Sequence, residues 1–161
     1  MKLYQSRIDL SSEIRQGVIA TLNLSLADAI DLSTQSKQAH WNVRGNNFKA
    51  LHELFDEIHE MSEEHIDLLA ERITALGGIA EGTIATVAEK SRLPKYPSQL
   101  QNQEAHVKAL ADGLAQFGSH IRQGIKEADE LGDAGTSDLF TEISRSTDKY
   151  LWMLEAHIEL A

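Results

Sequence analysis

Apolar residues recur at steps of three and four along most of the chain, and four long segments carry that period. The first runs from about Ser11 to Val43, with Ile14, Val18, Leu22, Leu26, Ala29, Ile30 and Leu32 on its apolar side. Arg44-Gly45-Asn46-Asn47 reads as its stop and as the start of the next helix. The second segment runs from about Phe48 to Leu76 and closes at Gly77-Gly78, a C-terminal glycine signal. Residues 79–98 have no sustained period and hold both prolines, Pro94 and Pro97; a short helix is expected near Thr83–Lys90. The third helix is expected from about Asn102 to Leu131. After the turn Gly132-Asp133-Ala134-Gly135, Thr136 or Ser137 is expected to cap a fourth helix reaching about Ile158. No segment alternates with the strand period. Four helices of about 25–30 residues with one long central link predict an all-α four-helix bundle whose middle connection crosses over.

Composition narrows the class. With 161 residues the chain is the usual size of one domain, taken as 1–161. It has no cysteine, which excludes a disulfide framework, a thiolate zinc site and a thiol nucleophile. The N-terminus lacks an apolar secretory core, and no run reaches the ~18–20 apolar residues of a membrane span. A cytoplasmic location is therefore the expectation, with no membrane partner. The formal charge of −10 disfavours general binding to nucleic acid or anionic lipid and suits a protein that handles cations.

The second helix concentrates the chemistry. On a wheel of 100° per residue with His52 at zero, Asp56 falls at about 40°, Asp67 at about 60° and Glu71 at about 100°. Glu53, Glu60, Glu63 and Glu64 lie on or beside this stripe, which holds no Lys or Arg between 52 and 71. Leu54, Phe55, Ile58, Met61, Ile66, Leu69, Ile73 and Leu76 occupy the other side. Like charges four apart cost a helix a few tenths of a kcal/mol per pair, on the order of 0.2–0.5, and bound cations would offset that. A solvated acidic face is the alternative. Carboxylate and imidazole together suit iron, manganese or zinc.

Distance sharpens this reading. His52 and Asp56 are one turn apart, as are Asp67 and Glu71, but Asp56 and Asp67 are separated by about 16 Å along the axis. The two pairs cannot share an ion within one chain. They can where two copies of the helix run antiparallel about a two-fold axis near residue 61 or 62, which makes two equivalent sites. The chain has no Glu-x-x-His, the motif by which ordinary di-iron bundles build a site inside one chain.

These residues resemble a known family. The run Ala39-His40-Trp41-Asn42-Val43-Arg44-Gly45-Asn46-Asn47-Phe48 is similar to the signature of the Dps family, the DNA-binding proteins from starved cells, also called miniferritins. The likeness continues through Leu51–Glu57, Asp67–Arg72 and Leu76-Gly77-Gly78, with the spacing His-x11-His-x3-Asp-x10-Asp-x3-Glu. Asp148-Lys149-Tyr150-Leu151-Trp152 extends it to the fourth helix, so it covers nearly the whole chain. The resemblance implies a ferritin-like bundle assembled into a hollow homododecamer. It implies ferroxidase centres between two-fold-related subunits, with His40, Asp67 and Glu71 from one chain and His52 and Asp56 from its neighbour. Fe(II) would be oxidised there by hydrogen peroxide or dioxygen and stored as ferric mineral, with Zn as a competing metal. Trp41 would lie beside the metals, Glu53 and Glu57 would nucleate mineral, and Asp138, in an acidic cluster with Asp129, Glu130 and Asp133, would line a three-fold iron pore. The alternatives are a packed aromatic at Trp41, a solvated surface at Glu53 and Glu57, and an acidic turn with helix capping at Asp133.

Two histidines depart from this pattern. His65 falls at about 220°, amid the apolar face, and His157 lies near an apolar stripe of the fourth helix. They extend the metal site if they meet, or are simply buried and hydrogen-bonded. His59, His106 and His120 carry no reading beyond surface or packing. DNA coating, the rival function, finds little basic charge: Lys2 and Arg7 stand against Asp9 at one end, and residues 155–161 are acidic. No appreciable DNA binding is expected. A purely structural bundle is the remaining alternative.

Overall fold

The computed structural model describes residues 3–158, and these form five helices: α1 Ser12–Asn42, α2 Phe48–Ala75, α3 Ile84–Lys90, α4 Gln103–Glu130 and α5 Ala134–Glu155. There is no strand among the described residues. Local chemistry sets most of the ends. Ser11, Thr83, Asn102 and Asp133 cap their helices by accepting a backbone N–H from the first turn. Gly77 and Gly132 take φ of 84° and 81°, and the amides that follow them reach back to Ile73 and Ala128. A side chain strains that left-handed conformation, which is why glycine stands at both stops.

The start of α5 decides between the candidate caps: it is Asp133, the alternative reading of the acidic turn, and not Thr136 or Ser137. Its carboxylate accepts from Thr136 N at 3.1 Å, Thr136 Oγ1 at 2.6 Å and Arg72 Nη2 at 2.7 Å. Burial pushes the Asp133 carboxyl up, but the bonds from Thr136 and Arg72 together outweigh it and hold it below the usual carboxylate range. The helix also stops earlier than expected, at Glu155, because residues 156–158 form a turn.

α1 packs along α2, α4 along α5, and α1 against α4 joins the two hairpins. Phe55, Phe117 and Phe140 are fully buried at the centre with Ile19, Leu22, Leu26, Leu51, Ile58 and Leu69. Each such side chain contributes about 1.5–3 kcal/mol relative to an exposed one. The link from α2 to α4 runs the length of the bundle and lays α3 on α1. α1 is therefore covered on several sides, and it buries polar residues as well as apolar ones. Asn23 Nδ2 donates to Ile79 O and its Oδ1 accepts from Glu81 N; Gln35 Nε2 donates to Pro94 O. Asp28, completely buried, accepts from the Arg92 amide and guanidinium and from His120 Nδ1. These residues, spread along α1, hold the crossover in place.

Candidate metal centre

The centre begins where α1 turns into α2. The His40 and His52 rings stack with centroids 3.7 Å apart. His40 Nδ1 donates to His52 O at 2.7 Å, and His52 Nδ1 donates to His40 O at 2.9 Å. This reciprocal clamp fixes both tautomers and leaves each Nε2 lone pair free, the arrangement in which imidazoles serve as metal ligands. Phe48 stacks on the outer side of His52 at 5.0 Å.

The His40 ring stands against His52 of the same chain, whereas Asp67 and Glu71 lie further along α2. Spacing on one helix could not show this, because the pairing depends on how α1 turns into α2. Asp67 and Glu71 are exposed on α2, about 16 Å and 22 Å further along the axis from Asp56 at 1.5 Å per residue. Among the described residues no three His, Asp or Glu side chains of one chain converge to hold an ion.

Asp56 already has a cation. Lys37, one turn before His40 on α1, donates to Asp56 Oδ1, and this bond holds the Asp56 carboxyl below its ordinary range. Lys49 pairs likewise with exposed Glu53. The acidic stripe of α2 thus has some neutralisation that a helix wheel of α2 alone does not reveal. Ser33 of α1 donates to Glu63 at 2.6 Å and lies 2.9 Å from His59 Nδ1. His59, read as a surface or packing residue, is part of this polar seam. A cavity of about 1030 Å³ lies between α1, α3 and the crossover, lined in part by Lys37, Trp41, His59 and Tyr96. Trp41 is 69% exposed, so within the chain it is not a packed aromatic.

The acids before α5 separate into two kinds. Asp133 is buried in its cap and its ion pair with Arg72, and it is removed from the pore set. Asp129, Glu130 and Asp138 are exposed.

His65 and His157 do not meet. His65 is buried and its Nε2 lies 2.7 Å from Ser146 Oγ, whereas His157 is exposed and roughly 16 Å further along from Ser146 by helical rise. His65 Nδ1 has no partner, and burial lowers the imidazole from 6.5 to about 4. The unfolded chain takes up this proton below about pH 6.5, while the folded protein refuses it until about pH 4. His65 therefore removes about 3 kcal/mol of stability as pH falls across that window. His65→Leu should flatten the acid limb of stability by that amount. Urea midpoints at pH 7 and pH 4.5 test this, and an equal decline in both proteins would show that His65 is not the group responsible.

A family model described as a ferritin-like domain matches residues 19–161. The chain is 42% identical over 159 residues to the DNA protection during starvation protein of Agrobacterium fabrum, covering 99% of this chain and 98% of that one. DpsC from Streptomyces coelicolor superposes with a TM-score of 0.93 at 29% identity, over 99% of this chain and 94% of that one. Dps from Microbacterium arborescens, solved in a high-iron form, superposes with a TM-score of 0.88 at 31% identity, over 96% and 98% of the two chains. The fold is thus that of the ferritin-like proteins. Within them, the chain belongs to the Dps family. That membership points to iron storage and protection from oxidative damage. No helix among the described residues is long and apolar enough to cross a membrane.

Proposed function

We propose that the protein is a ferroxidase cage. His40, His52 and Asp56 of one chain and Asp67 and Glu71 of a two-fold-related chain bind Fe(II) as substrate. Hydrogen peroxide or dioxygen takes its electrons, and the ferric product is stored inside a closed homo-oligomer, a dodecamer, in the cytoplasm. The observation that carries this reading is the His40–His52 clamp, which presents two fixed Nε2 donors beside Asp56. A second α2 running antiparallel about a two-fold axis would bring its Asp67 and Glu71 to the same place. Anionic carboxylates favour Fe(III) over Fe(II), so this ligand set draws the oxidation forward. Zn(II), which accepts the same imidazole and carboxylate donors, competes for the site.

Further residues take supporting parts in the proposal. Trp41 gives electrons to oxidising species at the centre, exposed Glu53 and Glu57 nucleate mineral, and Asp138 lines a three-fold entry. A ring of carboxylates there raises the local concentration of Fe(II).

The direct test adds Fe(II) anaerobically, then hydrogen peroxide or dioxygen separately, and follows Fe(III) absorbance. Oxidation faster than in protein-free buffer is expected with at least one oxidant. Rates equal to buffer with both would leave only a structural bundle.

The same reading assigns no role in coating DNA. Lys2 and residues 159–161 lie outside the described residues. A few phosphate contacts on a subunit of charge −10 are weak at physiological salt. DNA mobility on a gel should be unchanged by the protein at about 150 mM salt and neutral pH. A strong shift would overturn this assignment.

A further inference from the structure

Outside the metal centre, a partly buried tyrosine hydrogen-bonded to a buried histidine has the geometry of a redox couple. Tyr96 of the crossover places its hydroxyl 2.6 Å from His106 Nδ1 in the first turn of α4. His106 is 2% exposed, and the two rings are 6.2 Å apart and tilted by 31°. Burial pushes the Tyr96 phenol up, so it keeps its proton at neutral pH. Burial also lowers His106, so the imidazole is neutral and able to accept a proton, while the backbone of Leu100 favours its charged form once made. A phenol gives up an electron far more readily when its proton leaves at the same time. Here the base that takes the proton is already in place.

We infer that Tyr96 and His106 form a redox-active pair, in which Tyr96 yields an electron to a strong one-electron oxidant as its hydroxyl proton passes to His106 Nδ1. With hydroxyl radical, formed from Fe(II) and peroxide, the radical gains the electron and becomes hydroxide. The O–H bond of Tyr96 breaks, an N–H bond forms on His106, and a neutral phenoxyl radical remains. An electron from a second Fe(II), which becomes Fe(III), restores the phenol as the proton returns from His106. The net change is one hydroxyl radical and one Fe(II) converted to hydroxide and Fe(III). Tyr96 lines the same cavity as Trp41 and Lys37, and Lys37 bonds Asp56, so that cavity connects the pair to neighbours of the proposed iron site. This use of the pair rests on the iron-oxidising reading; its redox activity does not.

The chain has three tyrosines, which makes the assignment tractable. Tyr4 is 68% exposed, and Tyr150 lies near the carboxylates of Glu57, Glu64 and Glu60. Only Tyr96 is hydrogen-bonded to an imidazole among the described residues. Iron-free assembled protein should be oxidised with photogenerated ruthenium(III) tris-bipyridine, frozen and examined by electron paramagnetic resonance. A phenoxyl signal is expected, retained in the Tyr4→Phe/Tyr150→Phe variant and lost in Tyr96→Phe, which removes only a hydroxyl. His106→Leu, which leaves the phenol without a base, should lose the signal while keeping Tyr96. In the parent protein the radical should form more slowly in D2O than in H2O. An undiminished signal in Tyr96→Phe, with helix content unchanged by circular dichroism, would overturn the pair. Since this arm contains no iron, failure of the iron-oxidising reading appears separately, as absent Fe(III) absorbance.

Discussion

Two variants that are each inactive should regain fast iron oxidation when co-assembled. One carries His52→Leu and Asp56→Asn; the other carries Asp67→Asn and Glu71→Gln. Each homo-oligomer loses two donors from every site, leaving too few to hold iron in an oxidisable geometry. A two-fold pair with one chain of each kind is different. One of its sites has lost all four residues, but its symmetry mate keeps His40, His52 and Asp56 from one chain and Asp67 and Glu71 from the other. In a random equimolar mixture about half the pairs are mixed, so about a quarter of all sites are intact. Fast oxidation should recover to about that fraction of the parent rate. Were each site contained within one chain, every site would stay damaged and no recovery would follow. Absence of recovery, with co-assembly verified by native mass, would falsify the shared centre. A companion result follows from the His40–His52 stack. Moving His40→Leu into the first pool should leave recovery intact, whereas moving it into the second should abolish it.

The parts of this molecule that were legible in its sequence are those governed by a single helix. α2 is amphipathic, so its acidic stripe and its boundaries follow from residue periodicity, and the separation of Asp56 from Asp67 follows from helical rise. Features that depend on which helix lies beside which were not legible. Asn23, Asp28 and Gln35 resemble surface residues when α1 is read alone, because nothing local shows that the crossover covers them. Lys37 sits one turn from His40, and that spacing was an available sign that it neighbours the site; its partner Asp56, however, is on another helix. Asp133 shows the same limit at a helix end. Asp133, Thr136 and Ser137 are equally good caps by residue type, and the choice is made by Arg72, 61 residues earlier, which fixes the Asp133 carboxylate.

The largest stability change is expected at Asp28. Its side chain is completely buried, and it accepts from the Arg92 amide at 2.7 Å, Arg92 Nε at 3.1 Å, Arg92 Nη2 at 2.6 Å and His120 Nδ1 at 2.9 Å. Three separate elements meet on this one carboxylate: α1, the crossover and α4. Asp28→Ala leaves a partly buried guanidinium, a backbone N–H and an imidazole N–H without their acceptor. Each donor left without its acceptor costs on the order of 1–3 kcal/mol, the guanidinium least because water reaches its exposed third. The crossover also loses its central anchor, so protease cleavage should appear between residues 79 and 98 before the rest of the bundle is cut. Replacing both partners gives a contrasting result. Asp28→Leu with Arg92→Met removes both charges together and should recover much of the loss, because two apolar side chains of similar volume need no acceptor. Thermal unfolding and timed proteolysis of the parent, the single variant and the double variant separate these outcomes. If the double variant is as unstable and as readily cut as Asp28→Ala, the carboxylate does more than neutralise Arg92. The remaining loss then lies with the Arg92 amide and His120, and Asp28→Asn, which keeps an acceptor oxygen, should restore the part that the double variant does not.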